Sequence, residues 1–217
     1  MSEKTRTALA YSVLVSAQNF IGIIYQFYIV RFLGAGPQMD AYIASLAVPA
    51  MVLALSQTLL TYPLVPLLVS WREEGREINR KTLCLVAAAA VFMGLLNWGI
   101  AVFSPAIVSA VLPGFAGPRL ELAQSLMRWQ CLIAFLASCV TLLTSMHLAA
   151  NRFRFSGVVA AAGSLASLIY IFAFLKTQGV YALIYSLLVA NTLQCLLLGG
   201  WFRWRLPRAG DFRAALP

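Results

Sequence analysis

Ionisable side chains are scarce in this sequence, which has 217 residues but only seven carboxylates and one histidine. Charged residues make up 11% of the chain, whereas an ordinary soluble domain has about 25%. The sequence contains no Ser-His-Asp order, no HExxH segment and no GxxxxGKS/T loop. It therefore gives no support to an enzyme or a nucleotide-hydrolysing protein, and we expect neither a catalytic site nor a cofactor.

Cysteine is also sparse. The four cysteines, Cys84, Cys131, Cys139 and Cys195, fall within apolar segments and have no metal-site spacing. Thiols in such segments usually behave as small apolar residues, so we predict neither a disulfide nor a metal site. The formal net charge is +9, but the basic residues are spread between apolar segments and form no patch of the kind that binds nucleic acid. We expect no nucleic-acid partner.

Apolar residues, in contrast, are abundant and fall into long runs. They make up 61% of the chain, more than a soluble fold of this size can bury. A hydrocarbon core of roughly 30 Å needs about 20 helical residues, and we predict six such spans, at 8–32, 41–70, 82–103, 122–149, 155–175 and 180–202. A short amphipathic helix at 105–112 is expected to rest at the interface. The predicted fold is all-α and polytopic: a six-helix transmembrane lobe at 1–205, then 206–217 as a cytoplasmic tail or the lead-in to a seventh helix.

Basic residues between the spans predict the orientation in the membrane. Of the sixteen Lys and Arg, twelve fall on one side of the predicted spans, three (Arg31, Arg119 and Lys176) on the other, and Arg128 lies within the fourth span. Short loops rich in Lys and Arg stay in the cytoplasm. We therefore expect a multi-pass protein of the cytoplasmic (inner) membrane with both termini in the cytoplasm.

Polar side chains inside the spans are the candidate binding residues. Asn19 and Gln26 are seven residues apart and share one face of the first span, and Arg128 lies six residues into the fourth. A polar group at membrane depth has to meet a partner or water. Amides there either join neighbouring helices or line a cavity, and Arg128 either extends to the headgroup region or lines a cavity. The sequence leaves both alternatives open.

The connection between the first two spans has strong turn chemistry. Gly34 and Gly36 allow backbone angles that other residues resist, and Pro37 restricts the turn further, so we predict a positive φ at one of the two glycines. Asp40 is expected to cap the second span. Arg31 is expected to lie near Asp40, pairing with it or with an anionic headgroup.

The segment Arg31–Tyr42, RFLGAGPQMDAY, resembles the signature of the lipid II flippases (the MurJ/MviN family), R-x-L/F-G-A-G-x-x-x-D-A-F/Y. Four later segments are similar to landmarks of that family and follow in the same order: Val65–Leu68, Pro113–Phe115, Asn151–Phe153 and Gly179–Leu183. The resemblance spans nearly the whole chain. It implies one lobe of the multidrug/oligosaccharidyl-lipid/polysaccharide exporter fold, in which two six-helix lobes enclose a central cavity.

The resemblance also implies a substrate class and a site. Lipid II flippases carry arginines in helices 1 and 2 that face the cavity, but Ala8–Val30 and Ala41–Ser70 are uncharged here. Amides cannot replace the two-point pairing of arginine with a diphosphate. We therefore expect a lipid-linked oligosaccharide of the peptidoglycan- or polysaccharide-precursor class rather than lipid II itself. The candidate substrate-binding residues are Arg31, Asp40, Asn19, Gln26 and Arg128.

Two functions from different classes follow from these observations. The favoured one is the N-terminal half of a flippase that needs a second lobe, in a missing C-terminal half or a partner chain, because alternating access requires one half to rock against the other. We expect the chain alone not to translocate a lipid-linked saccharide. The alternative is a non-transporting membrane scaffold that binds other proteins of envelope synthesis. A solute antiporter of the same superfamily is least favoured, because it would need an intramembrane carboxylate and no predicted span contains one.

Overall fold

The structure is a computed structural model that describes residues 3–58, 62–73, 80–112 and 114–200. The predicted tail at 206–217 lies outside the described residues. Within these residues every regular element is a helix, and the eight helices are α1 (Glu3–Leu33), α2 (Pro37–Ser56), α3 (Tyr62–Glu73), α4 (Arg80–Val102), α5 (Ser104–Val111), α6 (Pro118–Ala149), α7 (Phe153–Gln178) and α8 (Tyr181–Gly200).

Six helices are long and apolar enough to cross a membrane, so the predicted all-α, multi-pass fold is confirmed. The six membrane-length segments are Tyr11–Leu33, Pro37–Ser56, Cys84–Val102, Pro118–Ala149, Phe153–Gln178 and Tyr181–Gly200. The short helix that the sequence predicts at 105–112 is α5. Its position directly after α4 makes it a connection between two membrane-length helices rather than a span.

The structure describes the second predicted span, 41–70, in two parts. These are α2, whose helical backbone continues through Thr58, and α3, which begins at Tyr62; residues 59–61 lie outside the described part. Among the described residues of this region, α2 is long and apolar enough to be a span, whereas α3 is not. Pro49 and Pro66 lie inside α2 and α3, where a proline removes a backbone hydrogen bond and bends the helix.

Helix α6 is the centre of the bundle. It packs against α2, α4 and α8 and against the short helices α3 and α5, while α1 packs on α7 and α7 packs on α8. The main core lies where α6, α7 and α8 meet, around the buried side chains of Leu126, Ile171 and Leu183. Five membrane-length helices therefore follow the series α1, α7, α8, α6 and α2, and the sixth, α4, packs on α6 beside α2.

Large apolar side chains cover the outside of the bundle. Phe20, Phe27 and Trp98 are 64%, 72% and 68% exposed. Contiguous exposed apolar surface on this scale is rare on soluble monomers. This exposed apolar surface is suited to contact with the hydrocarbon chains of a lipid bilayer.

Candidate functional site

The turn between α1 and α2 has the geometry that its glycines and proline predict. Gly34 has φ +57°, which confirms the expected positive φ and which residues with a Cβ resist. Gly36 is extended, with φ −154° and ψ 169°, and it precedes Pro37, the first residue of α2. Proline suits that position because a first-turn N–H has no helical partner to lose. The turn thus brings α2 back beside the end of α1.

Two expectations for Asp40 are wrong. Asp40 does not cap the helix, because Pro37 has already started α2 and the carboxylate lies in the first turn, where it still favours the positive end of the helix dipole. Its ion-pair partner is Arg119, with Nη2 2.9 Å from Oδ2, and no ion pair joins Asp40 to Arg31 in the part of the chain that the structure describes. The two paired side chains are 47% and 55% exposed, so the pair contributes at most about 1 kcal/mol.

Three basic residues lie at this end of the bundle. Lys176, near the end of α7, has its Nζ 5.3 Å from the centroid of the Phe32 ring, next to the exposed Arg31. Arg119 joins the start of α6 to α2 through Asp40. These are the three residues that the sequence assigns to the side opposite the cytoplasm, and the structure places them together. The orientation of that end in the membrane stays a prediction.

The exposed surface of α1 divides into two flanks. The polar flank consists of three exposed polar residues, Ser16, Asn19 and Gln26. The apolar flank consists of three large apolar residues that are 60–72% exposed, Val13, Phe20 and Phe27. Asn19 and Gln26 are almost two turns apart and share one face, as predicted. For both amides the structure records no side-chain hydrogen bond with any described residue.

The inner side of α1 borders a pocket of about 210 Å³ between α1, α7 and α8, whose lining is mostly apolar but includes several polar groups. Tyr25 Oη and Ser186 Oγ lie 2.9 Å apart and connect α1 to α8. Ser167 of α7, only 6% exposed, and Gln194 of α8 add a hydroxyl and an amide to the lining. A water molecule takes about 30 Å³ in the liquid, so the pocket has room for several waters or sugar hydroxyl groups. Sequence reasoning missed this pocket, because its groups come from three separate helices.

Small residues of α7 allow α8 to approach closely. Three of them, Ser156, Gly163 and Ser167, are buried. A Cβ on Gly163 would collide with the side chain of Gln194, meeting Nε2 and lying 2.6 Å from Cγ and 2.7 Å from Cδ. Gly163 therefore makes the space through which Gln194 reaches the pocket.

Replacing Gly163 by alanine is expected to loosen the contact between α7 and α8. Overpacking of this kind costs about 1–3 kcal/mol, so Gly163→Ala should lower the free energy of unfolding in bicelles by that amount. The matched control is Gly99→Ala, because a Cβ there has nothing within 4 Å and alanine favours a helix over glycine by about 0.5–1 kcal/mol. Adding Gln194→Ala to Gly163→Ala should recover most of the loss. Equal effects of Gly163→Ala and Gly99→Ala would contradict this account of the contact.

A second groove, of about 420 Å³, lies between the end of α2 and α6. Four of its lining residues carry hydroxyls: Thr58, Thr141, Thr144 and Ser145. Thr58, Thr141 and Ser145 each donate to the carbonyl four residues earlier in their own helix, so these three hydroxyls present acceptor oxygens only. Gln57 adds an amide to the lining.

Arg128 is exposed on α6 and is held by α5. Its Nε donates to Ser104 Oγ over 3.2 Å, and Ser104 is fully buried at the start of α5. Side chains on a helix lean toward its N-terminus, so this contact directs the guanidinium toward the end of the bundle at which α6 begins. The structure therefore does not gather the five predicted binding residues into one cluster. Asn19 and Gln26 form the polar flank, whereas the three charged residues lie elsewhere: Arg31, Asp40 and Arg128.

His147 is buried and connects three helices. Its Nε2 donates to the carbonyl of Leu198 over 3.1 Å, and its ring centroid lies 5.1 Å from that of Phe155. In the described ranges, no three His, Cys, Asp or Glu side chains gather into a group that could hold a metal. His147 thus has a packing role between α6, α7 and α8.

Comparisons with known proteins add no family to this picture. No protein-family model matches the chain, and no curated protein matches it. The functional argument therefore rests on the chemistry of the polar flank and on the sequence resemblance. Free amides beside a wide apolar surface can hydrogen-bond an uncharged polar group while a hydrocarbon chain stays in lipid.

Proposed function

We propose that this chain is one lobe of a flippase that moves a lipid-linked oligosaccharide from the inner to the outer leaflet of the cytoplasmic membrane. The observation that carries the proposal is the pair of flanks on α1. The polar flank presents amide donors and acceptors within a membrane-length segment, and the apolar flank beside it is more than half exposed. An amphiphile with a sugar headgroup and a polyprenyl tail has the same division.

The turn at Arg31–Tyr42 supports the flippase class. Its sequence resembles the lipid II flippase signature, and its geometry uses the signature residues, with Gly34 at positive φ and Pro37 at the start of α2. The twelve-to-three distribution of basic residues supports cytoplasmic termini. In that orientation the turn lies at the outer face of the membrane.

The absence of cations from the flanks of α1 supports a saccharide-dominated recognition. Asn19 and Gln26 stand where a diphosphate site would need arginine, and Arg128 is engaged by Ser104 on α5. Sugar hydroxyls both donate and accept hydrogen bonds, as carboxamides do. The proposed substrate class is therefore a lipid-linked oligosaccharide whose sugars supply most of the binding free energy.

The test is selective binding of such a lipid by the purified chain. Native mass spectrometry of the chain released from nanodiscs should show retention of a polyprenyl-linked oligosaccharide in preference to phosphatidylglycerol. In the Asn19→Leu, Gln26→Leu variant, the ratio of retained saccharide lipid to retained phosphatidylglycerol should fall about tenfold, because two amide hydrogen-bonding sites are removed. The matched control, Phe20→Leu with Phe27→Leu on the apolar flank, should keep it.

Two outcomes would count against the proposal. Equal retention of the saccharide lipid and phosphatidylglycerol by the wild-type chain would remove the substrate class. Equal losses in the two double variants would show that the polar flank does not select the headgroup. A folded chain that binds no lipid-linked saccharide but pulls in another membrane protein would instead favour the scaffold function.

A further inference from the structure

The polar flank of α1 is exposed although it lies within a membrane-length segment. Ser16, Asn19 and Gln26 fall inside Tyr11–Leu33, and neither amide has a recorded side-chain hydrogen bond to a described residue. A carboxamide that faces hydrocarbon leaves its donors and acceptors unsatisfied, which costs free energy. The polar flank is therefore built to face protein or a polar space rather than lipid.

The spacing along this flank is that of a helix packed lengthwise against another helix. Five exposed residues follow one another at intervals of three and four: Ser16, Asn19, Ile23, Gln26 and Val30. Amides alternate with smaller or apolar residues along this series, and polar residues at such positions fix the register in which parallel helices pair. The α1 helix is free to make such a contact, since α7 is its main packing partner within the bundle.

We propose that a second copy of this chain docks on the polar flank, so that the two α1 helices face each other across a two-fold axis along the membrane normal. All copies of one chain insert in the same orientation, and a symmetric contact brings identical surfaces together. Asn19 then meets Asn19, and Gln26 meets Gln26, at the same depth. A carboxamide is both donor and acceptor, so two like amides satisfy each other without a partner of opposite charge.

The charge distribution on α1 is compatible with this pairing. Arg31 is the one charged residue of Tyr11–Leu33. It follows Phe27 by four residues and so lies above the apolar flank, away from the proposed axis. Two copies can therefore approach along the polar flank without bringing their guanidinium groups together.

This inference rests on the proposed function in one respect: that function needs a second lobe, and a second copy on the polar flank would be placed to supply it. The amides that bond across the axis are the same groups that would bind the sugar headgroup, so a headgroup entering between the lobes exchanges amide–amide bonds for amide–hydroxyl bonds. Association itself needs no substrate, and it can be measured without one.

The experiment measures self-association of the purified full chain in substrate-free bilayers. Copies that carry donor or acceptor fluorescent proteins at the amino terminus are mixed, and energy transfer is followed as lipid is added. The wild-type chain should show saturable transfer that falls on dilution. Dimers of the Asn19→Leu, Gln26→Leu variant should dissociate at a lipid-to-protein ratio about tenfold lower than that needed for the wild-type chain, because interhelical amide hydrogen bonds are lost. The Gln26→Asn variant, which keeps an amide, should stay close to wild type.

The matched control lies on the other flank of the same helix. The Phe20→Leu, Phe27→Leu variant should leave association unchanged. In a separate test, oxidation should form a disulfide between two copies of the Gln26→Cys variant but not between two copies of the Phe27→Cys variant. The parent chain with its four free cysteines provides the background. The proposal would be overturned if energy transfer never exceeded the level expected from random proximity. It would also be overturned if the two double variants weakened association equally. If the chain forms dimers but binds no saccharide lipid, the proposed function is wrong and the pairing stands. If the chain stays monomeric but binds the lipid, the pairing is wrong and the proposed function stands.

Discussion

A vesicle that holds a single copy of this chain is expected to show no translocation of a lipid-linked oligosaccharide. If the second copy in the proposed dimer supplies the second lobe, vesicles that hold two or more copies are expected to show it. Alternating access moves one half of a transporter against the other around a site between them. Within the described residues of one copy, α1 lies at the end of the series of packed helices, and no described helix covers the polar flank. A sugar headgroup bound to one flank would still face hydrocarbon on its other side, which opposes its entry.

The measurement is the fraction of active vesicles as a function of the mean number of copies per vesicle. A fluorescent saccharide lipid is placed in the inner leaflet, and a membrane-impermeant quencher reports its arrival outside. At low protein density the active fraction should rise with the square of the copy number if pairs are required, and linearly if single copies suffice. A flippase that carries two six-helix lobes in one chain provides the linear control. A linear rise for this chain would contradict the half-transporter proposal, and inactivity of vesicles shown to contain dimers would contradict the proposal that a second copy supplies the second lobe.

The six membrane-length helices could be predicted from sequence because hydropathy is a local property. An apolar run of sufficient length has to satisfy its backbone within one helix in lipid, whatever its neighbours are. The end of α2 was harder to predict, because the run 41–70 contains no charged residue. Hydropathy does not place a helix end inside such a run.

The pairings between helices could not be predicted, since they depend on which helices become neighbours. Asp40 has a nearby basic residue in the sequence, Arg31, but its partner Arg119 is 79 positions away and arrives because α6 packs on α2. The pocket beside Tyr25 could not be predicted for the same reason. The space at Gly163 of α7 is filled by Gln194, which belongs to a different helix, α8.

An arginine at position 26 is expected to convert the uncharged flank into one that binds diphosphate. Gln26 is exposed on the polar flank, within a segment whose one charged residue is Arg31 near its end. A guanidinium fork meets phosphate oxygens in two places, and at membrane depth its attraction for the anion is weakly screened. In the proposed dimer, two such groups would face the same diphosphate from opposite sides. Without that anion they would repel each other and weaken the pairing.

The measurement compares two lipids with the same tail and the same sugars, one joined through a diphosphate and one through a monophosphate. The wild-type chain should bind them with similar affinity, because its polar flank contacts sugar and carries no cation. The Gln26→Arg variant should prefer the diphosphate lipid by about tenfold or more, since the second phosphate offers the guanidinium a further charge-assisted hydrogen bond, worth about 1.5–3 kcal/mol. The matched control is Phe27→Arg, which places the same charge on the neighbouring apolar flank and should give no such preference. Equal preferences for the two arginine variants would mean that any cation near the surface attracts the lipid, and that the polar flank is not where the headgroup binds.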